Sequence, residues 1–502
     1  MKRNQLWNVP VSRRQFGLLG GAGAALALQG CIATNKATGR TSLTGTYAPS
    51  DDVALGKQQH PRLLEQFGGE YSDRRLQGYV EQIGRNLSRF TEYRNDFPYS
   101  FTLLNSPIVN AFALPGGYVY VARGLMALAS NEAELAGVLA HELGHVNARH
   151  SAERISAQRA SQIGTMLASI GLQVAGINPD YASLGQSIAT IALQSYSRKQ
   201  EFEADTLGVR YMSRAGYDPE GMVTFLATLR AQSVVEARAK GLPDGTVDQY
   251  NMMSTHPRTI DRVRAATSAA RINRPANPTQ RRREYLAQID GMMFGDDPAQ
   301  GVVAGQTFKH ATLGFEFTVP DGFRMYNSPE NVTAQNASGA AIIFDMAGVT
   351  RSRTLGEYVA SEWVPDAGIQ HVQPLEVNGF QAVAAHTRAS INSRPMDARL
   401  VAIERDQGSV FRLLFLSPPA TTSALQTAFE RTTFSFRRLS AAEAEAVKPL
   451  QLRVVQARGG ESVEQLSKRL PYGPQNAEWF RILNDLKGQQ QPAAKQLLKV
   501  VG

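Results

Sequence analysis

The stretch Ala140-His141-Glu142-Leu143-Gly144-His145 limits the possible folds of this chain more than any other. Residues four apart lie on one face of an α-helix, so the imidazoles of His141 and His145 can take adjacent positions around one tetrahedral ion. Glu142 lies between them and can accept a proton from a water molecule that attacks a carbonyl group. The stretch therefore predicts a helix that carries a zinc-dependent hydrolytic site.

A catalytic zinc ion needs a third protein ligand, and a second predicted helix supplies a candidate in Glu201. Asp205, four residues later, lies on the same face and can accept the free ring N–H of a ligand histidine. Glu203 is expected to point to solvent, and His150 is expected to be structural or exposed. A Glu-x-x-x-Asp pair alone is common on exposed helices, but downstream of the two histidines it favours a metal site over an exposed helix with unrelated histidines.

The N-terminal residues have the pattern of an export signal. A charged region with Arg13 and Arg14 precedes a short apolar run, which predicts a signal peptide over residues 1–30, of the twin-arginine type. Leu-x-Gly-Cys, which ends at Cys31, resembles the bacterial lipobox. That resemblance implies lipidation of Cys31 and anchoring in a membrane. Because Ile32 follows the cysteine, it also implies the outer membrane, with the protein facing the periplasm.

Composition narrows the class of protein. The chain has 502 residues, 43% of them hydrophobic, which is enough for two to four domains with sizeable cores. Its formal net charge is +9, and four of the positive charges lie in the predicted signal peptide. The remainder is modest and dispersed, so we expect no nucleic-acid partner.

Residues 31–50 are rich in Thr, Ser, Gly and Ala and are expected to form a tether, and the peptidase domain is expected over residues 51–275. Within that domain an apolar, β-branched segment precedes the metal helix; it begins with Asn110, Ala111, Phe112 and Ala113. Two roles stay open for it: an edge strand that pairs with an extended substrate, or a hairpin of the core.

Residues 161–197 are small and apolar and are interrupted in the middle by a Gly/Pro-containing turn. Each half is too short to cross a bilayer, so a helical hairpin that covers the cleft is favoured over a membrane span. Contact with a membrane surface or a client protein is the alternative.

The His141–His145 motif and Glu201-Phe202-Glu203-Ala204-Asp205, with Arg198 before it, resemble the gluzincin family of HtpX and the CAAX prenyl proteases. The likeness is greatest to the soluble, periplasmic BepA-like branch. Residues 110–118 and 215–219 match that branch, as does Ser254-Thr255-His256-Pro257 with Arg262. The resemblance covers roughly residues 51–275.

This resemblance implies a mainly helical peptidase domain with a small edge sheet and one Zn²⁺. It implies that His141, His145 and Glu201 bind zinc and that Glu142 is the general base. Asp205, Arg198 and Arg262 would support the site.

His256 has two open roles. It can serve the site, by contacting an oxyanion or by capping the metal in a resting form, or it can be a structural histidine at a helix start, with Pro257 in the first turn.

Three segments follow the peptidase domain. Residues 276–298 are expected to be a linker, in which Arg281 to Arg283 form a solvated face. Residues 299–440 form an α/β module that resembles PsbP-like domains; in it 396–403 should pair with 410–416, and a binding or spacing role is expected. Residues 449–502 have the strand-helix-helix-strand order of a LysM-like module, whose resemblance implies attachment to peptidoglycan.

Together these patterns predict a multidomain α+β protein that acts as a lipid-anchored periplasmic zinc metalloendopeptidase. Its expected substrates are unfolded or misassembled envelope proteins, and its expected role is protein quality control. Two other functions stay open: a chaperone or assembly factor for outer-membrane components with little proteolysis, and a cell-wall-binding scaffold.

Overall fold

The computed structural model describes residues 33–42, 48–155, 195–239 and 274–502, with gaps at 350, 370, 392–393 and 407, and single positions between 252 and 272. The predicted signal peptide, Cys31 and nearly all of the predicted 161–197 hairpin lie outside the described residues. Among the helices that are described, none is both long and apolar enough to cross a membrane. The multidomain arrangement of helices and sheets is confirmed.

The region predicted to be a peptidase domain, residues 51–275, is called the peptidase region below, and it combines helices with one small sheet. The elements from residue 33 up to the metal helix are β1 (Ala33–Thr34), β2 (Thr41–Ser42), α1 (Pro49–Gln66), α2 (Arg74–Ser88), β3 (Ser100–Leu104), β4 (Ala111–Leu114), β5 (Tyr118–Ala122) and α3 (Arg123–Leu128). The sheet has the order β3-β5-β4. A Pro-Gly-Gly turn joins β4 to β5, and Gly116 and Gly117 both have positive φ angles, which only glycine adopts without strain.

Helix α4 (Glu132–Ala148) carries the His141–His145 motif and is buried along its whole length. The Asn131 side chain caps its N-terminus by accepting a hydrogen bond from the Glu134 N–H. The helix ends at Ala148, before His150. Arg149 ends it in the left-handed conformation, with φ 58°, and its guanidinium pairs with the buried Asp52 at 2.6 Å.

Two further helices, α5 (Arg198–Arg214) and α6 (Glu220–Ala239), pack against α4. Close approach of α4 and α5 depends on Gly144, since a Cβ built there would lie only 2.5 Å from the Ala204 carbonyl oxygen. Glycine in the metal motif therefore sets the spacing between the helices that carry His141 and Glu201.

The predicted tether and the predicted linker are both packed against the peptidase core. Residues 33–42 form the β1–β2 hairpin, in which Asn35 is buried and donates to the Asn147 carbonyl at 2.9 Å. The linker segment instead contains α7 (Arg282–Ile289) and β6 (Met293–Phe294). The apolar residues Tyr285, Leu286 and Ile289 bury one face of α7 completely, and the three arginines before them masked this periodicity in the sequence.

The middle segment forms two antiparallel sheets around a core rich in phenylalanine. Its smaller sheet, in the order β17-β9-β8-β7, contains β7 (Val302–Ala304), β8 (Thr307–His310), β9 (Phe315–Thr318) and β17 (Arg437–Arg438). The larger sheet, in the order β10-β11-β12-β16-β15-β14-β13, contains β10 (Arg324–Asn327), β11 (Val332–Gln335), β12 (Ala341–Gly348), β13 (Val372–Val377), β14 (Phe380–Ile391), β15 (Arg394–Asp406) and β16 (Ser409–Ser417). The predicted 396–403 with 410–416 pairing is confirmed, with Val401 opposite Leu413. Its helices are α8 (Leu355–Tyr358) and α9 (Thr422–Ser435).

After α10 (Ala441–Ala446), the C-terminal unit has the predicted strand-helix-helix-strand order. It consists of β18 (Leu450–Gln456), α11 (Val463–Leu466), α12 (Asn476–Leu483) and β19 (Leu497–Val501). Strand β18 pairs with both β19 and β6. Lys499 is buried, and its ammonium donates to the carbonyls of Ala127, Leu128 and Ala129 just before α4. This unit therefore packs directly on the peptidase region, and its LysM identity stays a prediction.

Candidate metal centre

Four buried side chains converge in the peptidase region: His141 and His145 from α4, Glu201 from α5, and His256. One nitrogen or oxygen atom from each lies within 4.8 Å of all the others. None of these residues is more than 4% exposed. Buried polar groups at such separations require mutual hydrogen bonds or a bound cation.

The donor set fits a zinc ion. Ligands about 2.0–2.1 Å from a tetrahedral ion lie roughly 3.3 Å from one another. The His141 Nε2–His145 Nε2 distance is 3.1 Å, and the His145 Nε2–Glu201 Oε1 distance is 3.3 Å. The third pair, His141 Nε2 and Glu201 Oε2, is 3.7 Å apart. Two imidazoles and a carboxylate are also the donor types that zinc prefers.

Asp205 and Arg262 hold His141 in place. Asp205 Oδ1 lies 2.9 Å from His141 Nδ1, so this nitrogen carries the ring proton and Nε2 is left with a lone pair for a metal. Arg262 donates two hydrogen bonds of 2.9 Å to the Asp205 carboxylate, and its remaining terminal nitrogen contacts Glu201. One buried arginine thus contacts both the carboxylate of a candidate ligand, Glu201, and the carboxylate that orients the candidate ligand His141.

The other candidate ligand, His145, has different neighbours. His145 Nδ1 lies 2.9 Å from His150 Nδ1, and His150 Nε2 lies 3.1 Å from Glu203 Oε2. The ring of Tyr196 stacks on His145 with a centroid distance of 3.8 Å. Glu203, expected to point to solvent, instead has a side chain only 16% exposed, because the turn after Arg149 brings His150 against it.

Glu142 is completely buried, and neither of its carboxylate oxygens has a hydrogen-bond partner among the described residues. The Nε2 atom of His256 lies 3.4 Å from Glu142 Oε1. Burial raises the pKa of Glu142, because desolvation disfavours the carboxylate, although the nearby His256 and His141 act in the opposite direction. An unpaired carboxylate beside the donor cluster is available to exchange a proton with a reactant.

His256 belongs to the same cluster. Its Nδ1 lies 3.0 Å from Glu201 Oε1 and 3.1 Å from His141 Nε2. Burial alone would lower the pKa of His256, but the charges of Glu201 and Glu142 outweigh burial and raise it. Of the two roles left open by the sequence, this position favours one in the site.

Strand β4 lies close to the cluster. It is an edge of its three-stranded sheet within the described residues, and Asn110, Ala111, Phe112 and Ala113 are all buried. Ala113 and His145 line one small cavity. Both roles left open for this segment are therefore met in part, since the strand is at once an edge and part of the core.

Arg198 lies outside the site. It is exposed at the first position of α5, where side chains project past the helix N-terminus into solvent. Conversely, sequence reasoning overlooked Tyr196, and it gave His150 and Glu203 no role in the site. The only signal for Tyr196 is that it immediately precedes Ser197, the N-cap of α5.

Comparison with known proteins agrees with this geometry. Residues 74–270 match the sequence profile of Peptidase family M48. The Beta-barrel assembly-enhancing protease of Escherichia coli (strain K12) is 28% identical over 255 residues, which are 49% of this chain and 50% of that protein. The Mitochondrial metalloendopeptidase OMA1 of Schizosaccharomyces pombe is 33% identical over 222 residues, which are 43% of this chain and 61% of that protein.

The chain thus spans about half the length of the bacterial relatives that it matches. Among solved structures, cyanobacterial PsbP from Synechocystis sp. PCC 6803 shares 10% identity over 27% of this chain and 94% of that one, with a TM-score of 0.22. A score this low carries no argument about the fold.

Proposed function

We propose that this chain, which carries a Peptidase family M48 domain over residues 74–270, is a zinc metalloendopeptidase that acts in quality control of cell-envelope proteins. The observation that carries the proposal is the buried cluster of His141, His145 and Glu201, with the unpaired carboxylate of Glu142 beside it. The relatives named as metalloproteases support it.

In this mechanism His141, His145 and Glu201 hold the zinc. When bound, zinc polarises the scissile carbonyl and makes water more acidic. Glu142 accepts a proton from the attacking water and later delivers it to the leaving amine. Asp205, backed by Arg262, keeps the His141 ring in its ligand orientation.

Strand β4 is the proposed substrate-binding strand. An extended peptide can add to a sheet edge through main-chain hydrogen bonds, which gives affinity with little sequence preference. The proximity of Ala113 to His145 would bring such a peptide to the ligand cluster. This mode favours unfolded or misassembled proteins as substrates, since folded proteins rarely offer an extended segment.

Substitution of Glu142 by Gln tests the central proposal. The amide keeps the size of the side chain but cannot act as a base, so we expect unchanged zinc content and a loss of peptide cleavage of at least ~100-fold. Glu65→Gln, on the exposed side of α1, is the matched control and should cleave like the wild type. Loss of zinc together with activity in Glu142→Gln would refute the assigned roles.

His256 is proposed to act at the same site, as a contact to an oxyanion or as a fourth ligand in a resting form. The two roles predict opposite changes in His256→Ala. Removal of an oxyanion contact lowers kcat with zinc affinity unchanged, whereas removal of a resting ligand weakens zinc binding and raises the initial rate. If neither quantity changes, His256 has no role in the site.

Anchoring at Cys31 and attachment to peptidoglycan remain proposals from the sequence. For the first, Cys31→Ala should move the protein from the membrane fraction to the soluble periplasm, and an unchanged distribution would contradict lipidation. For the second, the full chain should pellet with purified peptidoglycan. The full chain is needed because β18 pairs with β6 outside the C-terminal unit.

A non-proteolytic assembly role is a second candidate, since the name of the bacterial relatives refers to β-barrel assembly. Complementation of a deletion strain separates the two functions. Glu142→Gln should fail to restore envelope integrity if proteolysis is the function, and should restore it if binding alone suffices.

A further inference from the structure

The β1–β2 hairpin reaches the metal centre through a chain of polar contacts. From this hairpin, Arg40 Nη2 donates a 2.9 Å hydrogen bond to Glu153, and Arg40 Nε lies 3.0 Å from Glu203 Oε1. The second oxygen of Glu203 contacts His150 Nε2, and His150 Nδ1 contacts His145 Nδ1. The contacts thus run from a partly exposed arginine to a buried candidate zinc ligand.

The positions of the ring protons in this series of contacts follow from which atoms can donate and which can accept a hydrogen bond. A carboxylate can only accept, so the Glu203 contact places the ring proton of His150 on Nε2. His150 Nδ1 then has a lone pair, which accepts the Nδ1–H of His145 at 2.9 Å. His145 Nε2 is left unprotonated and faces the cluster, as a zinc ligand must.

Each of the two proposed ligand histidines is thus oriented by a carboxylate that is backed by an arginine. The two arginines differ in their exposure to solvent. His141 is oriented directly by Asp205, which is backed by an Arg262 side chain that is 1% exposed. His145 is oriented through His150 by Glu203, which is backed by an Arg40 side chain that is 29% exposed. Only the second support includes residues from outside α4, α5 and the segment around His256.

We propose that the β1–β2 hairpin is a positioning element of the metal site, in which Arg40 acts through Glu203 and His150 to hold His145 in the form that binds zinc. The inference rests on the proposed function and deepens it. Zinc affinity then depends on whether residues 33–42 are docked on the end of α4. The N-terminal segment is thereby part of the site's support and more than a tether.

The test is a graded series of variants in the full chain: His150→Leu, Glu203→Leu and Arg40→Gln. Removing a group that orients a metal ligand typically weakens metal binding about 10–100-fold, which we expect for the first two variants. Arg40 is one contact further from His145, so we expect Arg40→Gln to weaken zinc binding by about 3–10-fold. Arg40→Lys should restore the zinc affinity to within about 2-fold of the wild type. The matched control is Lys36→Gln, which removes an exposed ion pair to Asp96 from the same hairpin and should bind zinc like the wild type.

Zinc affinity is measured by competition with a chromophoric chelator, and ligand geometry by the visible spectrum of the cobalt-substituted protein. Melting of the metal-free protein serves as a folding control. Arg40 is partly exposed, so Arg40→Gln should melt like the wild type, and its weaker zinc binding then reports on the site alone. The cobalt bands should shift in His150→Leu and stay unchanged in Lys36→Gln.

Wild-type affinity in Arg40→Gln or in Glu203→Leu would overturn the proposal, even if His150→Leu binds zinc weakly. Failure of the proposed function gives a different pattern. A protein that shows the graded affinities but cleaves no peptide refutes the peptidase alone, whereas a wild type that binds no zinc refutes both.

Discussion

Substitution of Gly144 by Ala tests whether the contact between α4 and α5 builds the metal site. The added Cβ would lie 2.5 Å from the Ala204 carbonyl oxygen, about 0.9 Å closer than an ordinary contact of 3.4 Å. The added Cβ is bonded directly to the backbone of α4, and the Ala204 oxygen belongs to the backbone of α5. The overlap can therefore be relieved only by moving the two helices apart. Overpacking of this kind costs about 1–3 kcal/mol.

The larger effect should be on metal binding. Ala204 is three residues after Glu201, so a separation of about 0.5–1 Å moves this proposed ligand away from His141 and His145, whereas zinc–ligand distances tolerate only about 0.2 Å. We expect at least ~100-fold weaker zinc binding, by analogy with the loss of orienting groups, and a melting temperature lower by about 2–10 °C.

Chelator competition and thermal melting measure both quantities. Gly78→Ala is the control, because Gly78 lies exposed inside α2 with no atom within 4 Å of an added Cβ. It should stabilise the protein by about 0.4–1 kcal/mol and leave zinc affinity unchanged. A Gly144→Ala protein with zinc affinity within about 3-fold of the wild type and an unchanged melting temperature would refute the reasoning.

Three other outcomes follow from the structure. Chelation of zinc should abolish cleavage. It should also lower the free energy of unfolding by about 2.7 kcal/mol relative to protein with zinc at 100 times its dissociation constant, measured by melting with and without chelator. Equal melting curves would contradict a zinc site formed in the native state. Arg262→Leu leaves the buried carboxylates of Asp205 and Glu201 without their cation and should lower the free energy of unfolding by about 3–5 kcal/mol in urea titrations, and a loss below about 1 kcal/mol would contradict this pairing. Lys499→Met removes the donor to three carbonyls before α4 and should cost about 2–4 kcal/mol in the same assay, whereas a neutral effect would show that the C-terminal unit is not needed there.

The sequence predicted the parts of the site that local spacing encodes. Four-residue spacing on a helix placed His141 with His145, and Glu201 with Asp205, on common faces, and the structure brings these faces together. Long-range features were not predictable. The contacts of His150 and Glu203 depend on the left-handed turn at Arg149, and a positive φ at a non-glycine residue leaves no local signal.

Dependence on distant contacts also explains why the sequence suggested a linker and a tether where the structure has packed segments. Residues 276–298 look like a linker because of Pro275, Pro278 and three consecutive arginines, yet α7 is buried by partners that lie far away in sequence. Composition describes a segment alone, whereas burial depends on what packs against it. Residues 33–42 look like a tether for the same reason, since Asn147 and Glu153, which hold them, follow more than 100 residues later.

The pairing of β6 with β18 makes the middle segment an insertion between these two strands. Gln451 lies opposite Met293, so the chain enters the middle segment from β6 and leaves it into β18 at neighbouring points. Paired antiparallel residues are only about 5 Å apart, a gap that a short turn can close. The two β-sheets between them could therefore be exchanged for another domain, or deleted, without breaking the pairing of β6 with β18. This junction is thus a natural place to graft a new recognition module onto the proposed peptidase.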